Sequence, residues 1–144
     1  MKRKTTEEYL EIIYVLQKRD GYAKTGNISK QNDIKHPSVT EMLQKLQKEG
    51  YVEYRKYKGA KLTDRGMMIA SKLMETHRII ADFLEIIGVD RNLAEIDACQ
   101  LEHHVSIMTM KRLKDFVDFI NGSPQMPHWI EHYYNFVRTG EREK

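Results

Sequence analysis

Cys99, Glu102 and His103 are spaced i, i+3 and i+4, so on a helix they share one face. A soft thiolate, a hard carboxylate and an imidazole converging there suit a divalent transition metal better than calcium or magnesium, which favour oxygen ligands. Three ligands on one helix do not close a coordination shell. His77 falls mid-helix on the side of Leu73, Ile80 and Leu84, and Glu8 and Glu11 stand one turn apart near the N-terminus. If these helices meet, their side chains complete one or two metal sites. Each residue also has a plainer reading. A helical histidine beside leucines is more often a core residue, glutamates at a helix start are favoured by its dipole, and a lone buried cysteine packs as a small hydrophobe. His104, His128 and His132 read as surface or packing residues, with His104 able to support a ligand from behind.

A second group of residues suits a polyanion. Lys35, Pro37, Ser38, Thr40, Gln44, Lys45 and Lys48 lie in one segment, and Arg55, Lys56, Lys58 and Lys61 follow within seven residues. Hydroxyls and backbone N–H groups at a helix start suit phosphates, and Gln44 can read a base edge in a major groove. The later basic cluster is placed to track a DNA backbone. Any one of these lysines is more often solvated than in contact with DNA; the combination carries the reading.

The elements needed to position both groups are legible. Thr5 or Thr6 can cap a first helix with Tyr9, Ile12, Ile13 and Leu16 as its apolar stripe, ended by Asp20-Gly21. A short helix follows over Thr25–Asn32, and Pro37 opens another, with Val39, Met42, Leu43 and Leu46 inward, that stops at Gly50. Alternation in 51–55 and 60–63 around Lys56-Tyr57-Lys58-Gly59 predicts a β-hairpin. Thr63-Asp64 caps a long helix to Ile87 with Ile69, Leu73, Ile80, Phe83, Leu84 and Ile87 inward; helices over 92–106, 108–120 and 127–138 complete the chain. In the last of these, Trp129, Ile130, Tyr133 and Phe136 are available for packing. Two short helices, a tight turn and a basic hairpin form the winged helix-turn-helix plan. The fold expected is therefore mainly α: a winged helix-turn-helix over 1–63 with a small β-hairpin wing, then a helical domain over 64–144.

Composition agrees. The net charge of +3 is unevenly divided: residues 1–62 carry 14 Lys/Arg against 8 Asp/Glu, and residues 63–144 carry 10 against 13. A basic first half suits a polyanionic partner at that end. One cysteine excludes an internal disulfide and suits a reducing compartment, and neither a signal peptide nor a spanning apolar run is visible. The expected location is cytoplasmic, with no membrane partner.

The chain resembles the diphtheria toxin repressor family of metal-dependent regulators, most closely its shorter manganese transport regulator branch. The resemblance spans roughly residues 5–120. It rests on Thr5–Tyr14 (TTEEYLEIIY), His36–Thr40 (HPSVT), Gly59 with Leu62-Thr63 and Gly66, His77-Arg78, and Ile86–Asp90 (IIGVD) leading to Glu102-His103-His104. It implies a homodimer binding a palindromic double-stranded DNA operator, a helical domain for dimerisation and metal binding, and Fe(II) or Mn(II) as cofactor. By position, Glu8, Glu11, His77, Cys99, Glu102 and His103 fall on the family's ligand positions. Cys99 resembles the iron-responsive branch, whereas Glu8 resembles the manganese branch, so the site is a hybrid. Ala81 and Glu95 depart from the iron branch's ancillary ligand pattern. From its length, the SH3-like third domain of longer members is not expected.

These features predict a metal-dependent transcriptional regulator, a repressor by family expectation, in which metal ties the first helix to the long and fifth helices and favours operator binding. The alternative within the same class is a metal-independent winged-helix regulator sensing a small organic ligand. A hydrolytic metal centre built from Cys99, Glu102, His103 and His77 is disfavoured. The chain has no glycine-rich phosphate loop, no recognisable nucleophile motif and no evident substrate pocket.

Overall fold

The first helix begins at a reciprocal cap. Thr5 accepts the Glu8 backbone N–H through its hydroxyl, and the Glu8 carboxylate accepts the Thr5 backbone N–H, which satisfies two donors that a helix start otherwise leaves open. In the computed structural model, which describes residues 5–143, that helix is α1 (Thr6–Asp20). It is followed by α2 (Thr25–Asn32), α3 (His36–Lys48), β1 (Val52–Arg55), β2 (Gly59–Leu62), α4 (Asp64–Ile86), α5 (Arg91–Leu101), α6 (Ile107–Asn121) and α7 (His128–Thr139). The protein is thus mainly α, with a two-stranded antiparallel hairpin after the helix-turn-helix. None of the described helices is long and apolar enough to cross a membrane.

The described residues divide into two units between Met74 and Glu75, within α4. In the first unit, Tyr9, Leu10, Ile13 and Leu16 of α1 pack with Ile28 of α2, Val39, Leu43 and Leu46 of α3, Val52 and Leu62 of the hairpin and Ala70 of α4. Pro37 stands in the first turn of α3, where its missing N–H costs nothing. Two glutamines from the helices hold the hairpin: Gln47 Oε1 accepts the Tyr54 N–H at 2.9 Å, and Gln17 Oε1 accepts the Leu62 N–H at 2.8 Å. Ala23 pairs with Ala60 beside them, its N–H reaching the Ala60 carbonyl at 2.8 Å. That close approach requires Gly59. Its φ of +117° is left-handed, and a Cβ there would lie 2.5 Å from the Ala23 carbonyl oxygen.

The second unit packs Ile80 and Ala81 of α4 against Ala98 of α5, with Leu84, Val105 and Met110 around them. Alanines at 81, 94 and 98 are fully buried, so α4 and α5 meet through small side chains. Phe83, Phe116 and Trp129 form an aromatic chain with centroids 5.9 and 6.1 Å apart. Tyr133 and Tyr134 donate their hydroxyls to the carbonyls of Ile87 and Ile86, at 2.8 and 2.6 Å, satisfying acceptors at the end of α4.

Three expectations change. The helix predicted to run to Ser106 stops at Leu101 because Ser106 caps the next one, its hydroxyl accepting the Thr109 N–H at 3.3 Å. Ile87, expected inward, is exposed, since α4 ends one residue earlier and Gly88, at φ +106°, turns the chain. Of Trp129, Ile130, Tyr133 and Phe136, only Ile130 is buried.

Candidate metal centre and DNA-binding face

The second unit gathers His77, Cys99, Glu102 and His103. His77 projects from α4, Cys99 lies near the end of α5, and Glu102 caps that helix in helical geometry. The predicted single helical face is therefore a helix end: Cys99 is helical, and Glu102 and His103 form the turn that leaves it. Because Glu102 keeps αR backbone angles, the i, i+3 relation survives the helix boundary.

Glu102 is the charged side chain found buried among the described residues. Its two oxygens face two imidazoles: Oε2 lies 3.1 Å from His77 Nδ1 and Oε1 lies 3.2 Å from His103 Nε2. Cys99 Sγ lies 3.7 Å from the same His77 Nδ1. The far nitrogen, His77 Nε2, is held by the Glu95 carboxylate. Glu95 also pairs with Arg91 at 2.8 Å, and Arg91 in turn bridges Asp82 and Glu85 of α4 at 2.7 and 2.8 Å.

This charge chain fixes the protonation of His77. The Glu102 hydrogen bond, reinforced by Glu95 and opposed by desolvation, raises its pKa to about 9. Glu95 is held below the usual carboxylate range, chiefly by its bond to His77. At neutral pH without metal, the ring is an imidazolium clamped between two carboxylates. Nitrogen, oxygen and sulfur donors meet at the Nδ1 side, a donor set that fits a first-row transition metal and not a purely oxygen-seeking cation. Such a metal takes imidazole only in its neutral form.

Of the six ligands expected from sequence, the second unit brings four together. Glu8 and Glu11 lie one turn apart on α1 in the first unit, both partly buried, with the Glu8 carboxylate engaged in the Thr5 cap. Two participants were not expected as such: Arg91 was not singled out, and Glu95 was noted only as a departure from the iron branch's ancillary ligand pattern. Glu95 precedes Cys99 by one turn and Glu102 by two, and Arg91 precedes Glu95 by one. That i, i+4, i+7 spacing is a signal that could have found Glu95 on the ligand face.

The predicted DNA-binding residues form an exposed surface on the first unit. Pro37, Ser38, Gln44, Lys45 and Lys48 are exposed on α3, Lys35 precedes it, and Arg55, Lys56, Lys58 and Lys61 are exposed on the hairpin. Thr40 differs: it is partly buried, and its hydroxyl donates to the His36 carbonyl at 3.2 Å. A groove between α3 and the wing is lined by Thr40, Gln44, Gln47, Lys48, Tyr54 and Lys56. Gln47 and Tyr54, which residue type alone does not single out, set the wing against the helix through the bond described above.

Residues 1–60 match the family model described as the iron dependent repressor N-terminal DNA binding domain, and residues 63–129 match the iron dependent repressor metal binding and dimerisation domain. The HTH-type transcriptional regulator MntR of Oceanobacillus iheyensis is 42% identical over 114 residues, covering 78% of this chain and 77% of that protein. MntR of Lysinibacillus sphaericus is 35% identical over 125 residues, covering 87% and 90%. Among solved structures, the manganese regulator SloR is similar with a TM-score of 0.69 at 34% identity over 88% of this chain. IdeR of T. acidophilum is similar with a TM-score of 0.73 at 26% identity over 89%. This chain spans 58% and 59% of the lengths of those two solved chains.

Proposed function

We propose that this chain, which belongs to the iron dependent repressor family, is a homodimeric, metal-dependent transcriptional repressor that binds a palindromic DNA operator when Mn(II) or Fe(II) is bound. The observation that carries the reading is the buried Glu102 carboxylate facing His77 and His103 beside the Cys99 sulfur. It is a mixed N, O and S donor cluster in a protein that also carries a basic winged helix. A bound metal ion supplies a positive charge that holds carboxylates, imidazole and thiolate in one arrangement.

In this proposal residues 1–63 read DNA and residues 64–144 bind metal and dimerise. His77 would hold the metal through Nδ1 as the neutral ring, with Glu95 holding its Nε2–H from behind, which would orient the ring. Glu102, His103 and Cys99 would contribute from the end of α5, and Glu8 and Glu11, the ligand positions that the family resemblance implies on α1, would add theirs. Glu8 could keep the Thr5 cap through one oxygen and ligate through the other. Ligands drawn from both parts of the chain make metal affinity depend on how α1 is held. By linkage, an arrangement suited to DNA would then be favoured when these residues hold a metal, with a coupling of about 1–3 kcal/mol.

On DNA, α3 enters the major groove with Gln44 toward base edges and Lys35, Pro37, Ser38, Thr40, Lys45 and Lys48 along its flanks. Arg55, Lys56, Lys58 and Lys61 follow the backbone. The role is regulatory and not enzymatic, as for the MntR relatives, and its DNA target supports a cytoplasmic location.

The test is operator affinity in chelator, in Mn(II) and in anaerobic Fe(II). We expect roughly a fivefold to hundredfold tightening with metal. Cys99→Glu should shift the response from Fe(II) toward Mn(II), because a hard carboxylate replaces a soft thiolate. Equal affinity in all three conditions would remove metal from the mechanism.

A further inference from the structure

The tip of the wing holds a residue that neither turn chemistry nor packing accounts for. Residues 55–58 form a β-turn closed by the Lys58 N–H on the Arg55 carbonyl at 3.1 Å. Tyr57 is its third residue, with φ +74°. That backbone sign belongs to glycine or asparagine, and a bulky side chain there is strained. The other described non-glycine residue with positive φ is Asp33, a short polar residue at a helix end, where such a conformation is ordinary. Tyr57 is 94% exposed, the highest value among the exposed large hydrophobic residues, so packing does not offset the strain. Its ring meets the ammonium of Lys56, 5.5 Å from the centroid, and such a contact is weak in open solvent.

An aromatic ring held out at a strained position among Arg55, Lys56, Lys58 and Lys61 is explained by a partner that covers it. The four cations identify that partner as a polyanion, and the exposed ring adds an apolar edge. We infer that Tyr57 is a DNA-contacting residue, its ring packing on the sugar edges of the minor groove beside the half-site read by α3. Minor-groove walls present sugar carbons between phosphates, a surface on which an apolar side chain flanked by lysines finds both kinds of contact. The contact is independent of base sequence and adds affinity to each half-site of the dimer. This inference rests on the DNA-binding reading above.

The strain makes the test decisive, because stability and binding move in different directions. The probe is a duplex selected from a random-sequence library by the Mn(II)-loaded wild-type protein. Tyr57→Asn keeps the left-handed backbone, so its thermal midpoint should equal or exceed that of the wild type. Its affinity for the selected duplex should fall about tenfold, the scale of a single interaction in a protein–DNA interface. Because no charge is removed, the slope of log affinity against log salt should stay unchanged, whereas Lys58→Ala should reduce it by about one for each phosphate no longer neutralised. Tyr57→Phe should bind as the wild type does. If Tyr57→Asn binds as tightly as the wild type, Tyr57 does not touch DNA. If it flattens the salt slope as a lysine variant does, the ring only positions Lys56, and the inference is likewise overturned. Failure of the wild type to select any duplex would instead overturn the DNA-binding reading itself.

Discussion

Glu102→Gln is expected to abolish the metal response while leaving the winged helix folded. The Glu102 side chain is 2% exposed and faces His77 and His103 with one oxygen each. Glutamine keeps that shape but removes the charge that draws a cation into the site. Removing a group that supports a metal ligand typically costs tenfold to a hundredfold in affinity, and removing a charged ligand should cost at least the upper end, about a hundredfold. At an Mn(II) concentration that just saturates the wild type, operator affinity should then fall close to the chelator value. The substitution carries a second, metal-free readout. Because the Glu102 bond is the largest contribution raising the His77 pKa to about 9, the Glu102→Gln protein should titrate His77 at a lower pH, followed by NMR of its ring protons. A variant that kept full metal response, with His77 shifted, would make the Glu102–His77 pair structural.

The second large effect is pH. His77 in the metal-free protein is protonated below about pH 9, and ligation requires it neutral. Each metal bound therefore displaces one proton from His77 and a second from the Cys99 thiol where it binds as thiolate, so metal affinity should rise about tenfold per pH unit for each proton released until the pH approaches 9. Stability of the metal-free protein runs the other way. A histidine whose folded pKa is raised stabilises the fold fully below its unfolded value, about 6.5, and that stabilisation is lost as pH rises through about 9. The metal-free melting temperature should thus drift down between pH 6.5 and 9, while metal binding strengthens over the same range. Titration calorimetry in buffers of different ionisation enthalpy counts the protons released, and His77→Ala should remove the stability trend and lower the proton count by one. Glu95 is shifted down by the same ring, so its stabilisation is lost on the acid side, as pH falls through its folded value.

Much of this was legible in the residues because local rules and tertiary packing agree. Thr5 with Glu8 announces a capped start, Pro37 opens α3, and the apolar positions of α1 and α3 fall on the faces that are buried. The spacing of the candidate ligands Cys99, Glu102 and His103 was visible for the same reason, although it straddles a helix end. Ser106 reads as the end of one helix when its hydroxyl caps the next; a capping residue serves either neighbour, and spacing does not choose between them. The ionic state of His77 was out of reach, because it depends on Glu95 and Glu102 converging on opposite ring nitrogens across two helices. Glu95 stood on the right helical face, one turn before Cys99, but its bond to His77 depends on how α4 and α5 meet. Tyr57 was hidden differently, since only the backbone angle reveals that a tyrosine occupies a position suited to glycine.

Coupling between metal and DNA is reciprocal: if metal tightens operator binding, the operator must tighten metal binding by the same free energy. Mn(II) affinity measured at fixed pH and ionic strength, with and without saturating operator duplex, tests that coupling most directly. The operator should tighten Mn(II) binding by the factor with which Mn(II) tightens operator binding, and His77→Ala should show no change in either. An Mn(II) affinity that is the same with and without DNA would contradict a metal-controlled regulator, however tightly the site binds its ion.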